Sequence, residues 1–285
     1  MKKKMLIGLI STGLMLVLSF SGCLFSSGPE KKSLSDELNI FNWDDYFGET
    51  TLEDFEERFG VNINLYTFED ESFMISSLET NPSLYDIVIT SGSYVKELIQ
   101  TKSLAKLNKD NIPNLQNIAP RFLNRSNDPG NIYSVPYLWG TTGIAVNTSA
   151  VTDEVTSWSI LWNDNYTGRI SMLNNKEEVI ATALKYLGYP INPENIPQLE
   201  EAEEILLQQK PLLTGYEDPI SIRDKLISGE IALAHCYSGD ALFAADINGN
   251  ISYVIPDEGA PLWIDNIVIP VDSVHKYTAE IFINY

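Results

Sequence analysis

The sequence predicts an α/β protein of two lobes, each a mixed, mostly parallel sheet flanked by helices, with a cleft between them. Three observations carry this. From residue 38 onward, apolar runs of strand period alternate with runs of helix period. The alternation breaks at an Asn- and Pro-rich stretch, passes through an extended segment and then restarts. Finally, 285 residues exceed the roughly 100–200 that one domain ordinarily holds. With 44% hydrophobic and 20% charged residues, the chain has the material for a packed core.

In order, Leu38 to Trp43 reads as a strand that enters a loop. Thr51 to Phe59 reads as a helix: a Thr cap, early acids, apolar Leu52, Phe55 and Phe59 on one face, and Gly60 as its stop. Val61 to Thr67 alternates with period two and is a strand; Tyr85 to Thr90 is another, followed by a helix from about Tyr94 to Gln100. A loop runs from Leu107 to Gly130, and Tyr133 to Asn147 turns from loop into strand. The second unit carries helices near 157–162, 176–187, 197–210 and 240–247, and strands at 169–173, 231–236, 251–255 and 263–270. The expected lobes are 37–142 plus 264–285 and 143–263. Ala279 to Tyr285 breaks off in mid-helix by pattern and reads as a truncation, with a C-terminal part missing.

The first segment is an address. Met1 to Lys4 is a basic start, Met5 to Phe20 an apolar run, and Ser21-Gly22-Cys23 a small-residue close, the pattern of a secretory signal over 1–22. It resembles the lipobox of bacterial and archaeal lipoproteins, in which Cys23 becomes the lipidated N-terminus; Phe20 stands where Leu is usual. An uncleaved anchor is the alternative, although the run is short for a span. Residues 23–36 form a polar tether. Either reading places the body in the periplasm or at the cell surface, on the outer face of the cytoplasmic membrane.

With 19 Lys+Arg against 39 Asp+Glu, the net charge is −20, which repels phosphate backbones and excludes nucleic acid as a natural partner. Two cysteines and two histidines exclude a disulfide scaffold and a Cys- or His-based metal centre, so no metal or cofactor is expected. Catalytic motifs are missing: no G-x-S-x-G, H-E-x-x-H, P-loop or dinucleotide fingerprint occurs. His235 and Cys236 are adjacent in an apolar strand, so their side chains diverge and form no nucleophile pair. His275 lies in a polar turn and is expected to face solvent.

What remains is aromatic residues interleaved with acids at strand ends: Trp43 with Asp44, Asp45 and Tyr46; Tyr237 with Asp240; Trp263 with Asp265. Ring faces attract cations by about 0.5–2 kcal/mol each when desolvated. Hydrogen bonds between ammonium and carboxylate contribute roughly 1.5–3 kcal/mol each. Since micromolar affinity needs about 8 kcal/mol, two or three carboxylates and an aromatic sandwich suffice. Each pair alone is more often packing beside a solvated acid; the three together point to a cation.

Asn42-Trp-Asp-Asp-Tyr46, Tyr85 to Ser91, Tyr133 to Gly143, Val155 to Trp162, Ala183 to Tyr189, Tyr237-Ser-Gly-Asp240 and Gly259 to Pro270 resemble, in this order and spacing, the spermidine/putrescine-binding proteins of polyamine ABC transporters. The resemblance implies a two-lobed type II periplasmic-binding-protein fold that closes on its ligand, with no catalysis. It implies ligand contacts from Trp43, Asp45, Tyr46, Ser91, Asn175, Glu178, Tyr237, Asp240, Trp263 and Asp265. Tyr237 stands where the family usually has Trp, Ser93 where some members have Tyr, and Asn175 where spermidine binders have Asp. Asn keeps an acceptor and loses the charge. Bland roles stand beside these: Ser91 or Asp240 as helix caps, Glu178 as an acid favoured by a helix start, Trp43 as packing. The implied protein is a monomeric, lipid-anchored receptor that passes a polyamine to permease subunits. Alternatives are a receptor for another cationic or small organic solute and, remotely, an extracytoplasmic carboxylate-dependent hydrolase.

Overall fold

The computed structural model describes residues 32–285. The signal segment, Cys23 and most of the tether lie outside the described residues.

Among the described residues, nine strands and eight α-helices follow one another, mostly in alternation. β1 (Glu37–Asn42) buries Leu38 and Ile40 on one face and Phe41 on the other. α1 (Thr51–Phe59) puts Phe55 into the same core as Leu38 and ends at Gly60, whose φ of 68° is left-handed and favours glycine. β2 (Asn62–Thr67), α2 (Glu71–Thr80), β3 (Ile87–Ser91) and α3 (Gly92–Gln100) follow. β3 is buried on both faces, as a strand between two helical layers must be. Short 3-10 turns at Lys109–Asn111, Pro113–Asn117 and Pro120–Phe122 structure the stretch that the sequence marks as loop.

Among the described residues, β4 (Ser134–Asn147) is the longest strand. Its first half pairs antiparallel with β9 (Leu262–Val268), its second half with β7 (Leu233–Tyr237) and β8 (Ile251–Val254). Between them come β5 (Ile170–Leu173), α4 (Lys176–Tyr186), α5 (Ile196–Gln209), β6 (Leu213–Glu217) and α6 (Pro219–Ser228). α7 (Ser238–Ile247) follows β7 directly, and α8 (Lys276–Asn284) closes the described chain. The strand order is β2-β1-β3-β9-β4-β7-β5-β6. The expected parallel pairing holds in β2-β1-β3 and β6-β5-β7, while β4, β8 and β9 run antiparallel to their neighbours. Buried side chains group accordingly. Leu38, Ile87, Val135, Ile267 and Phe282 share one core, and Ile144, Trp158, Ile170 and Leu233 share another.

Two histidines receive definite roles. His235 is fully buried against Trp158, bonds Thr182 Oγ1 at 3.0 Å and is held neutral by burial, its pKa pushed down to about 3. Cys236 faces a different core, and burial pushes its thiol up. The pair is thus divided by the strand, as alternation requires. His275 corrects the expectation of a solvent-facing residue. Its Nδ1 lies 3.1 Å from Asp86 Oδ2, and its side chain is only 22% exposed. Asp86, itself 1% exposed, also accepts from Asn39 N, Asn39 Nδ2 and Ser273 Oγ. A buried carboxylate needs such donors, and the turn before α8 supplies Ser273 Oγ, the His275 ring and, at 3.3 Å, His275 N.

Candidate ligand-binding site

Strand ends bring the site together. β1 delivers Trp43 and Tyr46, β3 delivers Ser91, β7 delivers Tyr237, and β9 delivers Trp263 and Asp265. Ser91 and Asp265 are cross-strand partners on β3 and β9, so their backbones are adjacent.

Asp265 is the centre. It is 5% exposed and accepts a 2.8 Å hydrogen bond from the Tyr46 hydroxyl. Burial pushes its pKa from 3.8 to about 7; the Tyr46 bond favours the charged form, and the charge of Glu71 opposes it. Burial and the Asp265 carboxylate in turn raise the Tyr46 phenol well above its usual range, so it stays a donor. The Tyr46 loop is itself held: the Tyr137 hydroxyl donates to Tyr46 O at 2.7 Å, and Asn42 Oδ1 accepts from Trp43 N at 2.8 Å.

Rings wall this acid. Trp43 lies with its centroid 6.3 Å from that of Tyr46 and packs on Phe68 at 4.4 Å. Tyr237 meets Trp263 edge to face at 5.8 Å. Trp263 is opposite Gly140 in the β4–β9 register, and a Cβ at Gly140 would lie 2.3 Å from its ring. Glycine there is what admits the indole. Trp43 Nε1 and Trp263 Nε1 are buried and have no hydrogen-bond partner among the described residues, a feature that points to polar groups beyond the chain itself.

Two further acids stand on the second side. Glu178, at the third position of α4, is raised by burial and by Glu177, and the Thr142 hydroxyl pulls the other way. Its Oε2 is buried without a partner among the described residues. Asn175 caps the helix by accepting from Glu178 N at 3.1 Å, and its amide donates to the Tyr237 hydroxyl at 3.3 Å. Asp240, three residues into α7, is raised by burial, with Arg223 partly offsetting and Asp45 adding to the rise. The Tyr237 phenol is raised by burial and by Glu178, Asp265 and Asp240, which places all three acids around it. No basic side chain figures among the groups that shift Asp265 or Glu178.

Hydrogen bonds, ring contacts and strand register link Trp43, Tyr46, Ser91, Asn175, Glu178, Tyr237, Trp263 and Asp265, and Asp240 joins them through its charge. Asp45 is the outlying member: it is exposed, has a left-handed φ of 55°, and couples to the rest through Asp240. Ser91 occupies the cap position of α3 yet makes no side-chain cap bond. Its hydroxyl goes instead to Glu71 and Ser93. Asp240 is likewise not the cap of α7, a position Tyr237 holds. Sequence reasoning passed over Glu71. Asp70 Oδ1 caps α2 by accepting from Phe73 N at 2.8 Å, but no local pattern marks Glu71, whose role arises only where α2 meets β3.

Comparison with known proteins agrees with this fold. Residues 50–285 match the model of the bacterial extracellular solute-binding protein family. The chain is 31% identical over 253 residues to the spermidine/putrescine-binding periplasmic protein of Salmonella typhimurium, covering 88% of this chain and 72% of that one. It is 31% identical over 267 residues to a putrescine/agmatine-binding protein of Pseudomonas aeruginosa, covering 87% and 72%. Among solved structures, the spermidine/putrescine ABC transporter substrate-binding protein of Streptococcus pneumoniae superposes with a TM-score of 0.77 at 33% identity, covering 88% of this chain and 77% of that one. The TpPotD lipoprotein of Treponema pallidum does so with a TM-score of 0.82 at 30% identity, covering 87% and 79%. With its two-lobed α/β architecture, its ring-walled acidic site and these relatives, the chain belongs to the bacterial extracellular solute-binding protein family.

Proposed function

We propose that the protein is the extracytoplasmic receptor of an ABC importer, tethered by a lipidated Cys23, that captures a polyamine such as putrescine or spermidine and presents it to permease subunits. The observation that carries this reading is Asp265: a carboxylate 5% exposed, with one side-chain donor, in an aromatic enclosure where Glu178 and Asp240 are also held above their ordinary range. Leaving several acids this dry is costly unless a cation joins them. A flexible dication meets the need, placing ammonium groups on carboxylates and methylenes against Trp43, Tyr237 and Trp263.

Binding draws together the lobes 37–142 plus 264–285 and 143–263, with β4 and β9 as the crossing strands, and involves no covalent step. The protein works as a monomer and needs no metal or cofactor. A thermal-shift panel tests the reading. Putrescine or spermidine should raise the melting temperature in proportion to the logarithm of its concentration, while glucose and glutamate should not. A rise with a neutral or anionic solute alone would reject the amine assignment, and turnover of a glycoside or ester would reject a pure receptor.

A further inference from the structure

Glu71, the first residue of α2, reaches the end of β3 and gathers three donors there. Its Oε1 accepts from Thr90 Oγ1 at 2.7 Å and from Ser91 N at 2.8 Å, and its Oε2 accepts from Ser91 Oγ at 3.2 Å. Ser91 Oγ also lies 2.9 Å from Ser93 Oγ, a contact in which either oxygen can donate. The carboxylate settles that choice. Burial raises the pKa of Glu71 and its hydrogen bonds from Ser91 and Thr90 oppose the rise; as the carboxylate it only accepts, so the Ser91 proton goes to Glu71 and Ser93 donates to Ser91. Proton direction therefore runs Ser93 to Ser91 to Glu71. What the two hydroxyls have left is lone pairs.

This relay stands beside Asp265. Ser91 is the cross-strand partner of Asp265, and Glu71 interacts electrostatically with Asp265 and with Glu177 of α4, across from its own lobe. We propose that Glu71 is a positioning residue that fixes the hydrogen-bond direction of Ser91 and Ser93, so that this end of the site offers acceptors only and selects the N–H-rich head of an amine. The inference rests on the amine reading above and adds a specificity device to it. It also gives the first lobe a means of holding an ammonium where Asn175, across the cleft, carries no charge.

The test is a double-mutant cycle read by calorimetry with putrescine on the full chain, with the melting temperature of every variant recorded. Glu71→Gln keeps an oxygen for Thr90 Oγ1 and Ser91 N, but its amide donates toward Ser91 and reverses the relay. Affinity should fall about tenfold or more, the worth of a hydrogen bond to a charged group. In a Ser91→Ala background, the same substitution should cost less than twofold, because the device it acts through is gone. An equal loss in both backgrounds would mean that only the charge of Glu71 matters and would overturn the proposal; so would no loss in either. If Glu71→Gln fails to fold, Glu71→Asp takes its place in the cycle: its shorter carboxylate withdraws from Ser91, so affinity should fall about tenfold in the parent and less than twofold in Ser91→Ala, and an equal loss in both or none in either overturns the proposal. Failure of the unaltered protein to bind putrescine or spermidine would instead remove the amine reading, and this inference with it.

Discussion

At the scale of single residues, Asp265 carries opposite signs for stability and for binding. Its folded pKa, raised from 3.8 to about 7, means that the ligand-free fold prefers the protonated acid. Stability therefore falls as pH climbs from about 4 to about 7, by on the order of 4 kcal/mol for this group alone if nothing relaxes. An ammonium reverses the preference, since it favours the ionised form. Putrescine affinity should accordingly strengthen between pH 5 and pH 7.5 and level off above. Asp265→Asn should raise the ligand-free melting temperature at pH 8, leave it nearly unchanged at pH 4, and remove the pH-dependent gain in binding. A melt series across pH checks this; a variant less stable at pH 8 than the parent would contradict it. Tyr46→Phe takes away the side-chain donor that Asp265 has among the described residues, so the pH midpoint of binding should move upward.

At the scale of elements, the site depends on how strands approach. Gly140 lets β4 pass beneath the Trp263 indole, with room for no side chain. Gly140→Ala should displace that ring and weaken amine binding at least tenfold while the second core, around Trp158, stays intact; tryptophan fluorescence with and without putrescine reads both effects. The turn before α8 makes a separate demand. Asp86→Ala leaves Asn39, Ser273 and His275 donors without their acceptor and should cost about 2–4 kcal/mol in urea unfolding, against about 1 kcal/mol for His275→Ala.

These elements also show which parts of the fold a sequence can announce. α1 was legible because Leu52, Phe55 and Phe59 repeat at helical spacing and Gly60 ends them. α2 was not, since its serines and threonine leave only Met74 fully buried and no apolar stripe forms. β6, Leu213–Glu217, is half exposed and holds a glycine, so its pattern is faint. α6 did carry a signal, with Asp218 capping, Pro219 first and Gly229 last. The β–α–β order announced the parallel pairs, but the antiparallel course of β9 was beyond reach: Leu262–Val268 reads the same whichever way its neighbours run. The site followed suit. Its aromatic and acidic members stood out at strand ends, whereas Glu71 was hidden because its role depends on α2 meeting β3.

At the scale of the whole molecule, an acidic chain of net charge −20 concentrates cations near its surface, and the cleft then discriminates among them by shape and by desolvation. Because the anchoring acids are dry, salt should weaken binding far less than it weakens surface attraction: moving from 0.05 to 0.5 M NaCl should slow association more than it speeds dissociation. Closure of the lobes should be visible as a smaller radius of gyration on adding putrescine, with no change for Asp265→Asn. The most direct test of the central claim is a calorimetric titration of putrescine and spermidine into the parent protein and into Asp265→Asn at pH 7.5. The buried, ring-walled carboxylate predicts micromolar or tighter binding of at least one amine by the parent, and a loss of a hundredfold or more in the variant. Equal affinity in the two proteins would contradict it.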